Sequence, residues 1–245
     1  ISLGLVGSEM CIRDSGTSVA ILVGDLALVY AEDMFQDSGL SAAALRRARS
    51  PWRGMRTEVI GGQLLDISLE AAGSESVELA NSVNRYKTAA YTIERPLHLG
   101  AAIAGASEDL IAAFRGYGHD IGIAYQLRDD QLGVFGDPEI TGKPAGDDLR
   151  EGKRTELLAL ALQRADESDP QAAATLRKFI GQTSDPQELD RMAQIIADSG
   201  APQEIERRIE SLTQSGLEHL RAAQVDPAVT ETLERLAVKA TARHK

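Results

Sequence analysis

Cysteine is almost missing from this chain: Cys11 is the single one among 245 residues. That excludes an intramolecular disulfide, and nothing points to an oxidising compartment. Aromatic residues supply only 4% of the sequence, while alanine is abundant. Strand alternation is absent throughout, so the fold class expected is all-α. Positive charge is in deficit, with 26 Lys and Arg against 37 Asp and Glu and a net charge of −11. A chain with pI near 4.9 is a poor partner for nucleic acid. No Gly-rich phosphate loop, Ser-His-Asp order, zinc-type spacing, repeat or low-complexity tract occurs. The longest apolar run, Ser18 to Phe35, is interrupted by Asp25 and is too short to span a membrane. It reads as a buried core helix. A hydrophobic fraction of 43% is enough for a substantial core.

Against these absences one stretch stands out, Gly116 to Lys153, GYGHDIGIAYQLRDDQLGVFGDPEITGKPAGDDLREGK. Gln126, Asp129 and Asp130 fall at i, i+3 and i+4, which places all three on one face of a helix. Two adjacent acids among Ile121, Ile123, Ala124, Leu127, Leu132, Val134 and Phe135 are costly to bury unless a cation meets them. Hard divalent ions such as Mg2+ take carboxylate oxygens and commonly share their site with substrate phosphates. Lys143 and Lys153 follow in the loop and suit phosphate oxygens. Read without this context, a DD pair is an ordinary solvated face. His119 lacks a second His or Cys near it and reads as a packed or exposed histidine. Gly116, Gly118 and Gly122 each cost about 1 kcal/mol relative to alanine in a helix interior. They make sense where something large, such as a neighbouring helix, must come close.

Upstream, Ser41 caps a helix expected to reach Ala72, with Pro51 kinking or splitting it. Its Gly62-Gln63-x-x-Asp66 puts Gln63 and Asp66 on neighbouring positions of one face, a pattern that surface polarity alone also explains. Ser74 or Ser76 opens the next helix, in which Lys87 and Thr88 lie among small and aromatic residues; Pro96 is expected to kink or end it. Ser107 caps the helix of the aspartate pair, with Glu108 and Asp109 in its first turn. Pro138 and Gly142 break that helix after Phe135. Farther on, Asp169-Pro170, Asp185-Pro186 and Asp226-Pro227 are N-cap and N1 pairs, and Asp185 with Glu188 forms a capping box. Gly200 and Gly216 read as stops or thin spots. The charges of Glu204 to Arg208 read as a solvated face.

Taken together, YQLRDD, FGDPEITGK and DLREGK resemble the second aspartate-rich region of the polyprenyl synthetase family, the trans-isoprenyl diphosphate synthases. Within it the bacterial geranylgeranyl and farnesyl types are most similar. YKTAAYTIERPLHLGA adds a second matching block, and the resemblance runs from about residue 16 to 162. It implies an all-α isoprenoid-synthase bundle around a central cavity. Its activity would be Mg2+-dependent head-to-tail condensation of an allylic prenyl diphosphate with isopentenyl diphosphate. It further implies that Asp129 and Asp130 hold Mg2+, that Gln126 orders that site, and that Lys87, Lys143 and Lys153 contact phosphate oxygens. Thr88 would lie beside Lys87, and Gln63 with Asp66 would line the cavity next to the metal. A cytoplasmic homodimer is the implied form.

One departure is visible. The family's commonest motif is DDxxD, whereas this chain reads Asp129-Asp130-Gln131-Leu132-Gly133, with glycine in place of the third acid. Asp137, seven residues beyond Asp130 and roughly 10 Å along a helix axis, is too far to serve the same ion.

Residues 1–15, ISLGLVGSEMCIRDS, show no helical or strand period. They resemble the translation of a transposase adaptor used in sequencing libraries, or else are an ordinary N-terminal arm. The expectation is therefore a non-native segment at 1–15 and an isoprenoid-synthase domain at 16–245 that lacks its N-terminal helices. The family's other DDxxD cluster does not occur in the sequence, so the chain by itself is expected to be inactive or nearly so. Two other classes compete: a non-catalytic helical subunit of a partner synthase, and a class I terpene cyclase.

Overall fold

The computed structural model describes residues 2–142, 144–223 and 225–242, and for residues 2–14, 140 and 141 the backbone alone. Among the described residues every regular element is helical, as the missing strand alternation requires. The chain divides into two compact units, Ile1–Arg47 and Ala48–Lys245.

In the first unit, α1 (Ser2–Gln36) is one continuous helix, so the backbone is helical well before Ser18 despite the aperiodic sequence of residues 1–15. Val19, Ile21, Leu22, Leu26 and Val29 stand exposed, not buried as their apolarity suggested. Within its own unit only a short turn and the first residues of α2 are available to cover them. Ser41 caps α2 (Ala42–Ala72), accepting from the Ala44 N–H at 3.2 Å. Pro51 neither splits nor ends this helix. A proline removes one N–H and strains one turn, which a helix of 31 residues absorbs.

The second unit is organised around α5 (Glu108–Phe135), which Ser107 caps by accepting from Leu110 N–H at 3.3 Å. Before it come α3 (Val77–Val83), capped by Ser76, a π-helix (Asn84–Glu94) and α4 (Arg95–Ala104). Pro96 does not stop this run. It falls where the i→i−5 register gives way to i→i−4 and the ladder is already interrupted.

After α5 the chain makes the short helices α6 (Pro138–Thr141) and α7 (Asp147–Glu151). It then continues as α8 (Glu156–Ser168), α9 (Pro170–Phe179), α10 (Pro186–Asp198), α11 (Ala201–Ala222) and α12 (Pro227–Thr241). Asp169, Asp185 and Asp226 cap their helices with proline at the first turn, as expected. The capping box at Asp185 does not close, because the Asp185 N–H donates to Thr183 Oγ1 at 3.0 Å and Glu188 Oε2 is buried without a hydrogen bond.

α5 lies between the π-helix on one side and α11 on the other. The three glycines expected to admit a close neighbour do so, and the neighbour is protein. A Cβ on Gly118 would lie 2.8 Å from Glu94 N, one on Gly122 2.6 Å from Ala89 Cβ, and one on Gly116 2.6 Å from the His219 ring. Gly216 on α11 returns the favour to Ile121, whose side chain leaves no room for a Cβ. The charges of Glu204 to Arg208 are more than a solvated face. Arg208 pairs with Glu156, which is fully buried, and Glu206 accepts from the buried Arg128 at 2.5 Å. His119 is half-buried beside Asp120, which also accepts from Ser215 Oγ at 2.6 Å.

Candidate active site

Two close approaches build the site. Gly62 on α2 lets that helix press against the π-helix: a Cβ there would lie 2.7 Å from Lys87 Cα. One turn farther along α2, Asp66 then reaches Lys87, and the two form an ion pair. Gly122 does the same from the α5 side, bringing Thr88 over Gln126. Thr88 Oγ1 donates to Gln126 Oε1 at 2.7 Å, and Gln126 Nε2 donates to Asp130 Oδ1 at 2.7 Å. The i, i+4 spacing of Gln126 and Asp130 is what makes this second bond possible. A chain of polar groups therefore runs from the π-helix to the aspartate pair.

Asp130 is only 4% exposed, and its Oδ2 is buried without a hydrogen-bond partner. Burial above all, then the neighbouring charges of Asp148 and Asp129, pushes its carboxyl well above the usual carboxylate range, against the bond from Gln126. Asp129 beside it is half-buried.

Lys153 enters from the far side, placed by Gly152, whose φ of 76° ends α7 in a left-handed turn. Its Nζ donates to Asp148 Oδ1 at 2.5 Å and lies 3.6 Å from Glu151 Oε2. Burial alone would lower its pKa; the bond and charge of Asp148 outweigh that and raise it. Glu70, one turn beyond Asp66, is held above its ordinary value by partial burial and by Asp66, while Lys87 and Lys153 pull it back.

Of the residues singled out in the sequence, Asp66, Lys87, Thr88, Gln126, Asp129, Asp130 and Lys153 are thus gathered in one region. Gln63 is exposed on α2 and takes no part in the hydrogen-bonded set. Lys143 lies outside the described residues. Asp137 is not on the helix of the aspartate pair; it caps α6, accepting from Glu139 N–H at 2.9 Å. Glu70, Asp148 and Glu151 were not anticipated. DLREGK carried Asp148 and Glu151 in plain view, but only the fold of α7 back onto α5 gives them neighbours.

Among the described residues, Asp66, Glu70, Asp129, Asp130, Asp148 and Glu151 gather with Lys87 and Lys153, and carboxylate oxygens of this kind are the donors that hard divalent cations take. Oxygen donors with one buried, unpartnered carboxylate oxygen fit Mg2+. No three acidic, His or Cys side chains among the described residues already converge on one metal position.

The all-α architecture and the acidic, lysine-flanked site on its central helix define an isoprenoid-synthase scaffold. More narrowly, the chain belongs to the polyprenyl synthetase family, whose sequence model matches residues 7–198. It is similar to a geranylgeranyl pyrophosphate synthase of Corynebacterium glutamicum, whose crystal structure holds isoprenyl diphosphate and magnesium. The two are 63% identical with a TM-score of 0.90, over 93% of this chain and 64% of that one. A geranylfarnesyl diphosphate synthase of Aeropyrum pernix is 38% identical over 155 residues, covering 61% of this chain and 48% of the relative. A geranylgeranyl diphosphate synthase of Mycobacterium tuberculosis is 35% identical over 162 residues, 65% of this chain and 45% of the relative. The chain spans about half the length of the curated relatives it matches.

Proposed function

We propose that the protein to which this chain belongs is a prenyltransferase that makes a short-chain all-trans prenyl diphosphate from an allylic diphosphate and isopentenyl diphosphate. The observation that carries this reading is the buried, orphaned oxygen of Asp130 amid other carboxylates, with Lys87 and Lys153 on either side. Such a site offers carboxylate oxygens to a divalent cation and lysines to phosphate, which is what a metal-bound diphosphate would use.

In this reading the C–O bond of the allylic diphosphate breaks and the departing diphosphate takes up the electron pair. Mg2+, bound through Asp129 and Asp130, would supply charge neutralisation of that leaving group. Lys87 and Lys153 give up Asp66 and Asp148 to contact phosphate oxygens, as does Lys143. Gln126, fixed by Thr88, holds the Asp130 carboxylate in place. The C3–C4 double bond of isopentenyl diphosphate then attacks the allylic cation, forming the new C–C bond, and a proton is lost to the pyrophosphate. No side-chain nucleophile is required.

Retention of Lys87, Asp129, Asp130 and Lys153 together weighs against a non-catalytic partner subunit, and the lysine-bearing loop after the aspartates weighs against a terpene cyclase. A homodimer is the assembly we propose, supported by the exposed apolar side chains of α1 and by Ile60, Leu64 and Ile67 on α2. No helix among the described residues is long and apolar enough to cross a membrane; the cytoplasm is the compartment proposed, by family resemblance. Residues 1–15 we take as foreign to the protein, on their adaptor-like sequence, although the family match begins inside them at residue 7. Sequencing the source DNA upstream of the Gly16 codon decides that point.

The site itself is tested by titrating farnesyl diphosphate into the chain with and without Mg2+. Binding that needs Mg2+, weakens in Lys87→Ala and is lost in Asp130→Ala is the expected result. Binding indifferent to Mg2+ and to both substitutions would overturn the reading.

A further inference from the structure

Position 133 lies four residues beyond Asp129 and three beyond Asp130, so a side chain there would share their face of α5 one turn along. A third acid for the same cation would be expected at that point, and the chain has Gly133 instead. The volume is nevertheless filled. A Cβ built on Gly133 would lie 2.9 Å from Asp148 Oδ1 and closer still to Oδ2 and Cγ. The Asp148 carboxylate, carried in by α7, therefore occupies the space that an acid on α5 would need. Real Cβ atoms do not approach so near, so any side chain at 133 must displace it.

A second observation points to what this carboxylate faces. Asp130 is buried to all but 4%, its Oδ2 has no hydrogen-bond partner, and it couples electrostatically to Asp148 as well as to Asp129 and Lys153. Leaving such an oxygen unsatisfied is expensive unless a cation reaches it. Asp148 is buried too, and Lys153 pairs with it.

On the reading of the site proposed above, we infer that Asp148 is the third carboxylate of the divalent-cation site, supplied by α7 because Gly133 vacates its seat on α5. Asp148 exchanges partners when the cation is taken up: its carboxylate turns from Lys153 to the ion or its bound water, and Lys153 Nζ is released to a phosphate oxygen. In the structure Lys153 Nζ donates to Asp148 Oδ1, and no three-acid cluster is assembled among the described residues.

The probe is Mn2+ in the presence of inorganic pyrophosphate, with free Mn2+ read by electron paramagnetic resonance on the full 245-residue chain. Asp148→Asn is expected to weaken Mn2+ binding by about tenfold or more. Gly133→Asp, although it adds an acid to the helix, weakens binding as well, because its side chain collides with Asp148. Combining Gly133→Asp with Asp148→Gly clears the collision and returns the acid to α5, restoring most of the parent's affinity. A chain that had merely misfolded would not regain it. Parent-like binding by Asp148→Asn, tighter binding by Gly133→Asp alone, or no recovery in the double variant overturns the inference while leaving the site reading intact. Failure of the parent itself to bind Mn2+ with pyrophosphate overturns the site reading, and this inference with it.

Discussion

Adding one methyl group at Gly122 tests whether the contact between α5 and the π-helix governs both the packing and the site. In a helix interior Gly→Ala stabilises by up to about 1 kcal/mol, because alanine loses less backbone entropy. At Gly122 the new Cβ would meet Ala89 Cα at 2.5 Å and Ala89 Cβ at 2.6 Å. Relief requires the main chain of the π-helix to move, since no flexible side-chain tip is involved. Overpacking of this kind costs roughly 1–3 kcal/mol, and a backbone clash belongs in the upper half of that range. Gly122→Ala should therefore destabilise by a net ~1–2 kcal/mol, the clash outweighing the propensity gain. Gly61, on α2, has nothing within 4 Å of its would-be Cβ. Gly61→Ala should show the propensity term alone, a gain of up to ~1 kcal/mol. The two variants should thus differ by roughly 4–12 °C in Tm for a chain of this size. Helical circular dichroism during thermal and urea unfolding measures the gap. The displaced π-helix also carries Thr88 from Gln126, so Gly122→Ala should weaken Mn2+ binding with pyrophosphate while Gly61→Ala should not. If Gly122→Ala proves as stable as Gly61→Ala, the close approach does not constrain the fold as argued.

Asp130 and Glu156 give two further expectations. Asp130 has its folded pKa raised, chiefly by burial and then by Asp148 and Asp129. The folded chain therefore holds a proton that the unfolded chain releases, and without divalent cations its stability falls as pH climbs from the ordinary carboxylate value through the folded one. Asp130→Asn cannot titrate, so its stability advantage over the parent should widen with pH, while it loses cation binding; urea midpoints across pH that converge instead contradict this. Glu156 is fully buried and paired with Arg208, leaving Oε2 without a hydrogen bond. Arg208→Met should cost about 3 kcal/mol, the lower end for a broken buried pair because Arg208 keeps some solvent access. Adding Glu156→Gln should recover part of the loss; a double variant no better than the single would show that the charge on Glu156 is not what makes the loss costly.

Helical class, the caps at Ser41, Ser107, Asp169, Asp185 and Asp226, and the alignment of Gln126 with Asp130 were all legible in the sequence. Each depends on interactions within a few residues, where spacing and side-chain chemistry suffice. Lys87 and Lys153 were legible as candidate site residues through their surrounding motifs. The burial expected for α1 was not met, because apolarity states only that a helix needs a partner. The Asp185 capping box failed because Thr183 competes for the same N–H, an outcome decided by distances of tenths of an ångström. Likewise, nothing along the chain says that Arg208 finds Glu156 fifty-two residues away.

What the sequence by itself determined is therefore local: which segments are helical, where they begin, and which acids and lysines are candidates for diphosphate chemistry. Only the tertiary structure decided which of those charges meet. Glycines 62, 118 and 122 each permit a backbone approach that no side chain would allow, and through them Asp66 reaches Lys87 and Thr88 reaches Gln126. Gly133 alone reads as the loss of an acid. With α7 folded over it, the same glycine is the space into which Asp148 fits, because occupancy of a volume is a property of two segments and cannot be written in either one.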